Sequence, residues 1–377
     1  MYRIAVNGIN SKTGGGKSIL HNYLTLLDKS VLHDRYLVLT PDPSAFEWIS
    51  NDHIAIVHVP AWYGKTIASP FVYEVALHRV LARYRIDLVF NMGDLVVHTG
   101  IKQVYLFDWS YAIHPTGVVW KLMDRRDWFI RKVKLCLLRR RIRRPAVTIA
   151  QTPVAKEALH RLHGLTNVTI VPNAVSLDNL DSASDKTFDL PAGKRLLYLT
   201  YYYPHKNLEV LLPVARRIRE LGRDYKIIIT IDASQHKKSE RLLDDIRTQE
   251  LDAVILNVGP VKMEQVPALY RSCDALLMPT LLESFSGAYV EAMFHRIPIF
   301  TSNLNFAKAV CRDAACYFDP HDADDIVSKM DTVFDDPTRS ALLVEAGRRV
   351  LADLPDWPRT FTLYQDIIRD ELRGVRH

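Results

Sequence analysis

Residues 276–303 read LLMPTLLESFSGAYVEAMFHRIPIFTSN. The apolar run ending at Met278 predicts a strand that stops at Pro279. A loop then carries Glu283, a helix begins near Ser286 and runs through Glu291 to Arg296, and a second apolar run predicts another strand. Strands that are apolar at every position, rather than at alternate ones, belong in a parallel sheet covered on both faces. Ser286 and Gly287 suit a helix N-terminus whose unpaired N–H groups can hold an anion. Glu291 lies about two turns further on, at 3.6 residues per turn. Its neighbours Ala288, Val290, Ala292 and Met293 argue against a merely solvated glutamate. One carboxylate beside an anion site and a second further along can accept hydrogen bonds from vicinal hydroxyls, as a clamp on a nucleotide sugar would.

The same alternation of apolar runs and helical patterns fills the chain. Seven candidate strands precede residue 177: 2–9, 35–40, 54–60, 86–93, 103–109, 146–152 and 168–174. Six follow: 195–201, 225–233, 253–259, 274–280, 297–303 and 315–320. That is about twice what one doubly wound sheet usually holds, which predicts two α/β domains. The polar, Ser- and Asp-rich stretch LDNLDSASDKTFDLPAGK (177–194) divides them. A terminal helix follows from WPRTFTLYQDIIRDEL.

The 377 residues carry 24% charged and 48% hydrophobic side chains, with a net charge of +6. This excludes disordered and fibrous classes and suits contact with anions. Cys136, Cys273, Cys311 and Cys316 lack metal-type spacing and predict buried free thiols in a reducing compartment. No stretch reaches 18 uninterrupted apolar residues and no secretory leader is evident. The expectation is a cytoplasmic protein.

Near the start, SKTGGGKS (11–18) approaches the phosphate loop of nucleotide hydrolases. Gly16, Lys17 and Ser18 fit its end, but the first glycine of that pattern falls on Ser11. The partner aspartate that such a fold needs in the same sheet would be Asp232, beyond the linker. Hydrolysis is therefore the alternative reading. Gly14, Gly15 and Gly16 exceed what one tight turn requires and predict close backbone approach to a phosphate or sugar.

The E-x7-E pattern from Glu283 to Glu291, followed by Ala292 and Met293, resembles the signature of glycosyltransferase family 4. AVTIAQTPVAKEAL (146–159), VTIVPNAV (168–175), LYLTYYYPHKNLEVLLPVARRI (197–218), the run 254–285 and DWPRTFTLYQDII (356–368) extend the likeness over most of the chain. The resemblance implies a GT-B fold: two Rossmann-like doubly wound domains facing each other across a cleft. Residues 1–180, completed by helix 357–377, would be the acceptor-side domain, and 181–356 the nucleotide-sugar donor domain. Lys206 would bind the donor diphosphate. Glu283 would face the donor sugar and Glu291 the ribose, with Phe285, Ser286 and Gly287 holding sugar and phosphate through backbone groups. Family members commonly carry Gly-Arg where this chain has Thr200 and Tyr201, so one phosphate-binding cation is missing. In VYLFDWSYAIHP (104–115), Asp108 keeps an acid that usually follows a histidine, here Phe107. Asp108 joins Glu283 and Lys206 as a catalytic candidate, Asp108 and His114 are candidates on the acceptor side, and Gly15 and Gly16 would face the donor. The implied reaction is sugar transfer with retention and without a metal or cofactor, as in polysaccharide or O-antigen assembly. A sugar-nucleotide epimerase is the alternative within this fold.

The stretch 120–145, WKLMDRRDWFIRKVKLCLLRRRIRRP, holds eleven Lys/Arg and two Asp, interleaved with Trp120, Trp128 and Phe129. It could lie on an anionic membrane, bind nucleic acid, or be a solvated helix face. The first reading would place the protein peripherally on the inner face of the plasma membrane, near a polyprenyl-diphosphate-linked acceptor. With a nucleotide sugar and a saccharide as partners, no nucleic acid is expected.

Overall fold

The computed structural model describes residues 1–11, 14–174 and 187–374. The linker reading at 177–194 therefore lies outside the described residues over 177–186, and 187–193 form neither helix nor strand. The chain divides into two compact units, Met1–Ala174 with Pro355–His377, and Val175–Leu354.

Unit 1 contains β1 (Arg3–Asn7), α1 (Gly14–Asp28), β2 (Arg35–Thr40), β3 (Ile54–His58), α2 (Leu77–Arg83), β4 (Leu88–Asn91), β5 (Lys102–Leu106), α3 (Arg125–Arg141), β6 (Val147–Ala150), α4 (Pro153–His163) and β7 (Val168–Ile170), besides shorter helical turns. Its seven strands are parallel, in the order β3-β2-β1-β4-β5-β6-β7. Ile4, Ala5 and Val6 on β1 have no exposed surface, as expected for a strand covered on both faces.

Unit 2 contains β8 (Lys194–Tyr198), α5 (Leu211–Glu220), β9 (Tyr225–Ile229), α6 (Lys237–Thr248), β10 (Ile255–Asn257), α7 (Val266–Arg271), β11 (Ala275–Met278), α8 (Gly287–Phe294), β12 (Ile299–Ser302), α9 (Asn305–Cys311), β13 (Ala315–Phe318), α10 (Ala323–Phe334) and α11 (Pro337–Asp353). Its six parallel strands run β10-β9-β8-β11-β12-β13. Both sheets thus reverse direction between their first and fourth strands. In open α/β sheets ligands bind outside the carboxyl ends of the strands at that reversal.

The last helix, α12 (Trp357–Arg373), packs into the unit 1 core. Asp356 caps it by accepting from Arg359 N at 2.8 Å. Thr360, Tyr364, Ile367 and Ile368 form its buried stripe. Gln365 joins a tyrosine of β2 to one of α1, accepting from Tyr36 OH at 2.8 Å and donating to Tyr23 OH at 2.9 Å.

Candidate functional site

In unit 2, β8 and β11 are neighbours with Leu197 opposite Leu276, so their outgoing loops start side by side. Those loops are bonded together. His205 O accepts from Leu281 N at 2.8 Å and from Thr280 Oγ1 at 3.1 Å. Asn207 adopts a left-handed conformation (φ 56°), which asparagine tolerates, and its Nδ2 donates to Pro279 O and Pro320 O. Tyr198 OH donates to Lys206 O at 2.6 Å. The result brings the Lys206 ammonium onto Glu283 Oε1 as a hydrogen-bonded ion pair, with the side chains only 15% and 14% exposed. Two residues 77 positions apart meet at the reversal point of the sheet.

The loop then enters α8 through Ser286, whose side chain makes no capping bond. The first N–H groups of α8 therefore have no side-chain acceptor at the N-cap, and the helix dipole favours an anion there. Glu291 lies in the middle of α8. Burial pushes its carboxyl above the usual range, while a hydrogen bond from Tyr270 works the other way. Burial favours the neutral form, which can donate as well as accept. Phe285, Ser286 and Gly287 occupy the turn between the two glutamates, and Phe285 packs on the core.

The loop after β8 is aromatic where the resemblance would place Gly-Arg. Thr200 is tied to Thr230 by two bonds of 2.9 Å. Tyr202 is buried, accepts its place through N–H donation to Gln235 Oε1 at 2.9 Å, and stacks on His236. Tyr201 and Tyr203 face outward.

In unit 1 the glycine segment corrects the sequence reading. Gly14–Gly16 are the first turn of α1 itself, not a loop preceding it. Neither Gly15 nor Gly16 has a positive φ. A Cβ on Gly15 would meet nothing within 4 Å, and one on Gly16 only Ser11 at 3.8 Å. The fold therefore does not require glycine at either position. Lys17 and Ser18 are exposed. Asp232 lies in unit 2, where it caps Ser234 N, so the two halves of the hydrolase reading belong to different sheets.

Sequence reading missed the polar network at the carboxyl ends of β1 and β4. Fully buried Asn7 donates to Asn91 Oδ1 at 2.8 Å, and Asn91 donates to Leu95 O. Gly93 is required beside them, because a Cβ would lie 1.9 Å from Tyr73 OH and 2.9 Å from Asn7 Nδ2. Asparagines ending two adjacent apolar strands are the signal that was available. Asp108 is exposed at the end of β5, 3.5 Å from Gln151 Nε2. His114 is half-buried, and burial followed by Arg161 lowers its pKa.

The basic stretch also differs from the sequence reading. Lys134 and Arg141 point into unit 1, where Lys134 pairs with Asp94 at 2.5 Å and Arg141 with Glu74 at 2.6 Å. Arg131 lies over Tyr111, and Lys132 over Trp120. Arg125, Arg126, Arg139 and Arg140 remain exposed, with Trp128 and Phe129. Cys136 is on this outer face and exposed, whereas Cys273, Cys311 and Cys316 are buried free thiols as expected.

No helix is long and apolar enough to cross a membrane among the described residues. Within either unit, those residues hold no cluster of three metal-type ligands.

Residues 185–350, which include Lys206, Glu283 and Glu291, match the family model described as Glycosyl transferases group 1. The chain is 23% identical to 2-deoxystreptamine glucosyltransferase of Streptomyces kanamyceticus over 56% of its length and 61% of that protein's. It is 30% identical to phosphatidyl-myo-inositol mannosyltransferase of Mycobacterium leprae over 38% of its length and 37% of that protein's. The matched part thus spans less than two thirds of these relatives. Among solved structures, Anabaena Alr3699/HepE in complex with UDP and glucose superposes with a TM-score of 0.73 at 14% identity, covering 98% of this chain and 100% of that one. The fold is GT-B.

Proposed function

We propose that the protein is a retaining, metal-independent glycosyltransferase that uses a nucleoside diphosphate sugar as donor. The observation that carries this reading is the Lys206–Glu283 pair at the β8/β11 reversal, immediately before the N-terminus of α8. An ammonium and a helix N-terminus converging on one point suit a diphosphate leaving group, whose charge grows as the glycosidic bond breaks. When the donor enters, Lys206 exchanges its carboxylate partner for phosphate oxygens. Glu283, released, accepts from hydroxyls of the donor sugar and keeps the reacting carbon beside the leaving oxygen. The leaving phosphate takes the acceptor's proton on the same face, so the configuration is retained without a covalent enzyme intermediate. Glu291 holds the ribose hydroxyls.

The match over 185–350 supports the transferase class, and the solved neighbour titled with UDP and glucose supports a nucleotide-sugar donor. A hexose of mannose type, carried as GDP-mannose, is favoured by the mannosyltransferase relative. The exposed face of α3 supports a saccharide or polyprenyl-linked acceptor in surface-polysaccharide or lipopolysaccharide synthesis. There Arg125, Arg126, Arg139 and Arg140 stand with Trp128 and Phe129, a composition that suits an anionic lipid surface. Purified protein should transfer sugar to extracted lipid-linked saccharide, and Lys206→Ala and Glu283→Ala should each abolish transfer while circular dichroism stays unchanged. Full activity in both variants would overturn the proposal.

A further inference from the structure

We infer that Trp62, Ile67 and Phe71 insert into the boundary between headgroups and acyl chains of an anionic bilayer, beside the basic face of α3; this rests on the membrane-surface reading of that face above. The segment PAWYGKTIASPF (60–71) follows β3. Within it Trp62 is 41% exposed, Ile67 60% and Phe71 51%. The Trp62 ring lies 4.6 Å from that of buried Tyr63 and 6.0 Å from that of Phe71, between centroids. Large apolar side chains gathered at the surface of a folded unit mark a contact site, because folding gains nothing by leaving them in water.

The segment is ordered by its own backbone bonds, Tyr63 N to Pro60 O at 2.9 Å, Lys65 N to Trp62 O at 3.0 Å and Ala68 N to Lys65 O at 2.9 Å. Buried Tyr63 and Ser69 hold it to the unit. The sheet order places it beside α3. The steps from β3 to β4 and from β5 to β6 advance in the same direction across the sheet, so right-handed crossovers carry both connections over one face. The turn Ser69–Phe71 accordingly packs against α3. Glu74, three residues on, pairs with Arg141 at the end of α3. Val118, Trp128 and Phe129, all exposed, lie on the β5–β6 connection and add to the apolar surface.

Charge decides what covers this surface. Between Pro60 and Phe71 the sole charged residue is Lys65, which is exposed. The next acidic residue, Glu74, is engaged by Arg141, and Asp124 accepts from Asp127 N as the cap of α3. Arg125, Arg126, Arg139 and Arg140 stand exposed on α3. An apolar cluster rimmed by cations matches a bilayer with anionic headgroups: the apolar side chains pass the headgroups and the cations stay among them. Tryptophan suits that depth, with an apolar ring and an N–H that bonds at headgroup level. Ile67 argues against nucleic acid, since an aliphatic side chain has no ring to stack on a base. Because the segment follows β3, its insertion turns the carboxyl ends of the unit 1 strands toward the bilayer.

Co-sedimentation of the full chain with vesicles of phosphatidylglycerol and phosphatidylcholine in equal parts tests this, with phosphatidylcholine vesicles for contrast. Wild type should bind the anionic vesicles more tightly, and bromine-labelled acyl chains should quench part of its tryptophan emission. Ile67→Ser combined with Phe71→Ser should weaken binding about tenfold or more, and Phe71→Leu should keep most of it. Trp62→Phe should lose about half or more of the quenching. Circular dichroism should stay unchanged throughout, since the replaced side chains are exposed. Insertion is overturned if the double serine variant binds anionic vesicles like wild type, or if Trp62→Phe is quenched as fully; the α3 reading then stands. It is also overturned if lipid-free wild type is a dimer that the serine variant dissolves, which would assign the patch to a second copy of the chain. Failure of the α3 reading is distinguishable: wild type then binds no anionic vesicles at all, and the insertion falls with it.

Discussion

Replacing Lys206 by methionine keeps the length of the side chain and removes its charge. Glu283 would then be a carboxylate at 14% exposure without its cation. Removing one partner of a fully buried pair costs about 3–5 kcal/mol. Partial exposure lowers that to about 2–3 kcal/mol, below the ~4 kcal/mol attraction of two charges 4 Å apart at an effective dielectric near 20. For a unit of this size Tm should fall by about 4–10 °C. Lys206→Met with Glu283→Gln should regain about half of the loss, because the orphaned charge is gone. Nucleotide binding separates function from stability. Lys206→Met should weaken nucleoside diphosphate binding about ten- to a hundredfold, the worth of a charge-assisted bond to phosphate. Glu283→Gln should bind the nucleotide as well as wild type or better, because it frees Lys206 and removes a negative charge. Calorimetric melting and nucleotide titration of the four proteins measure both effects. A double variant no more stable than Lys206→Met, or wild-type nucleotide affinity in Lys206→Met, would refute the reasoning.

Burial raises the folded-state pKa of Glu291, so its stabilising contribution is complete below the unfolded value near 4.3 and is lost as pH rises through the raised value. Glu291→Gln should therefore gain Tm relative to wild type between pH 4 and pH 7.5, and a constant difference across that range would contradict the assignment. On α3, Arg141→Ala should cost about 1–3 kcal/mol because it removes the two-bond partner of Glu74 and leaves it only His98 at 3.4 Å. Arg139→Gln with Arg140→Gln should change stability by about 0.5 kcal/mol or less in denaturant titration. The same pair should reduce co-sedimentation with anionic liposomes about tenfold or more, and unchanged binding would remove the membrane role. Gly15→Ala should stabilise α1 by a few tenths to about 1 kcal/mol, since the added Cβ meets nothing. A stable variant that loses donor binding or transfer would locate the need for glycine in the ligand, and full function would remove Gly15 from the site.

Much of this architecture is legible because each strand is apolar along its length, and burial on both faces leaves no alternation to misread. LLMPT and IPIFTSN became β11 and β12, and Glu283 and Glu291 fell in the loop and helix between them. Partnership was less legible than position. Nothing along the chain announces that Lys206 meets Glu283, because that contact follows from the strand order, not from spacing. The charge run in α3 concealed a buried stripe, although Leu135, Leu138 and Ile142 mark the face on which Lys134 and Arg141 also lie. The three glycines suggested a loop, but helical backbone is open to glycine too, and only the structure places them inside α1. Thr200 and Tyr201 read as a departure from a phosphate site, and the pairing of Tyr201 with Tyr203 needed coordinates.

The central claim is that the Lys206–Glu283 site holds a nucleoside diphosphate sugar. Thermal melting of the purified protein against GDP-mannose, UDP-glucose and other nucleotide sugars, with ATP and magnesium as the contrasting ligand, tests it most directly. At a hundred times its Kd a true donor stabilises by about 2.7 kcal/mol, which should raise Tm by several degrees. The account predicts that shift for at least one nucleotide sugar, its loss in Lys206→Met, and no dependence on Lys17. Stabilisation by ATP and magnesium alone, abolished by Lys17→Ala, would contradict it.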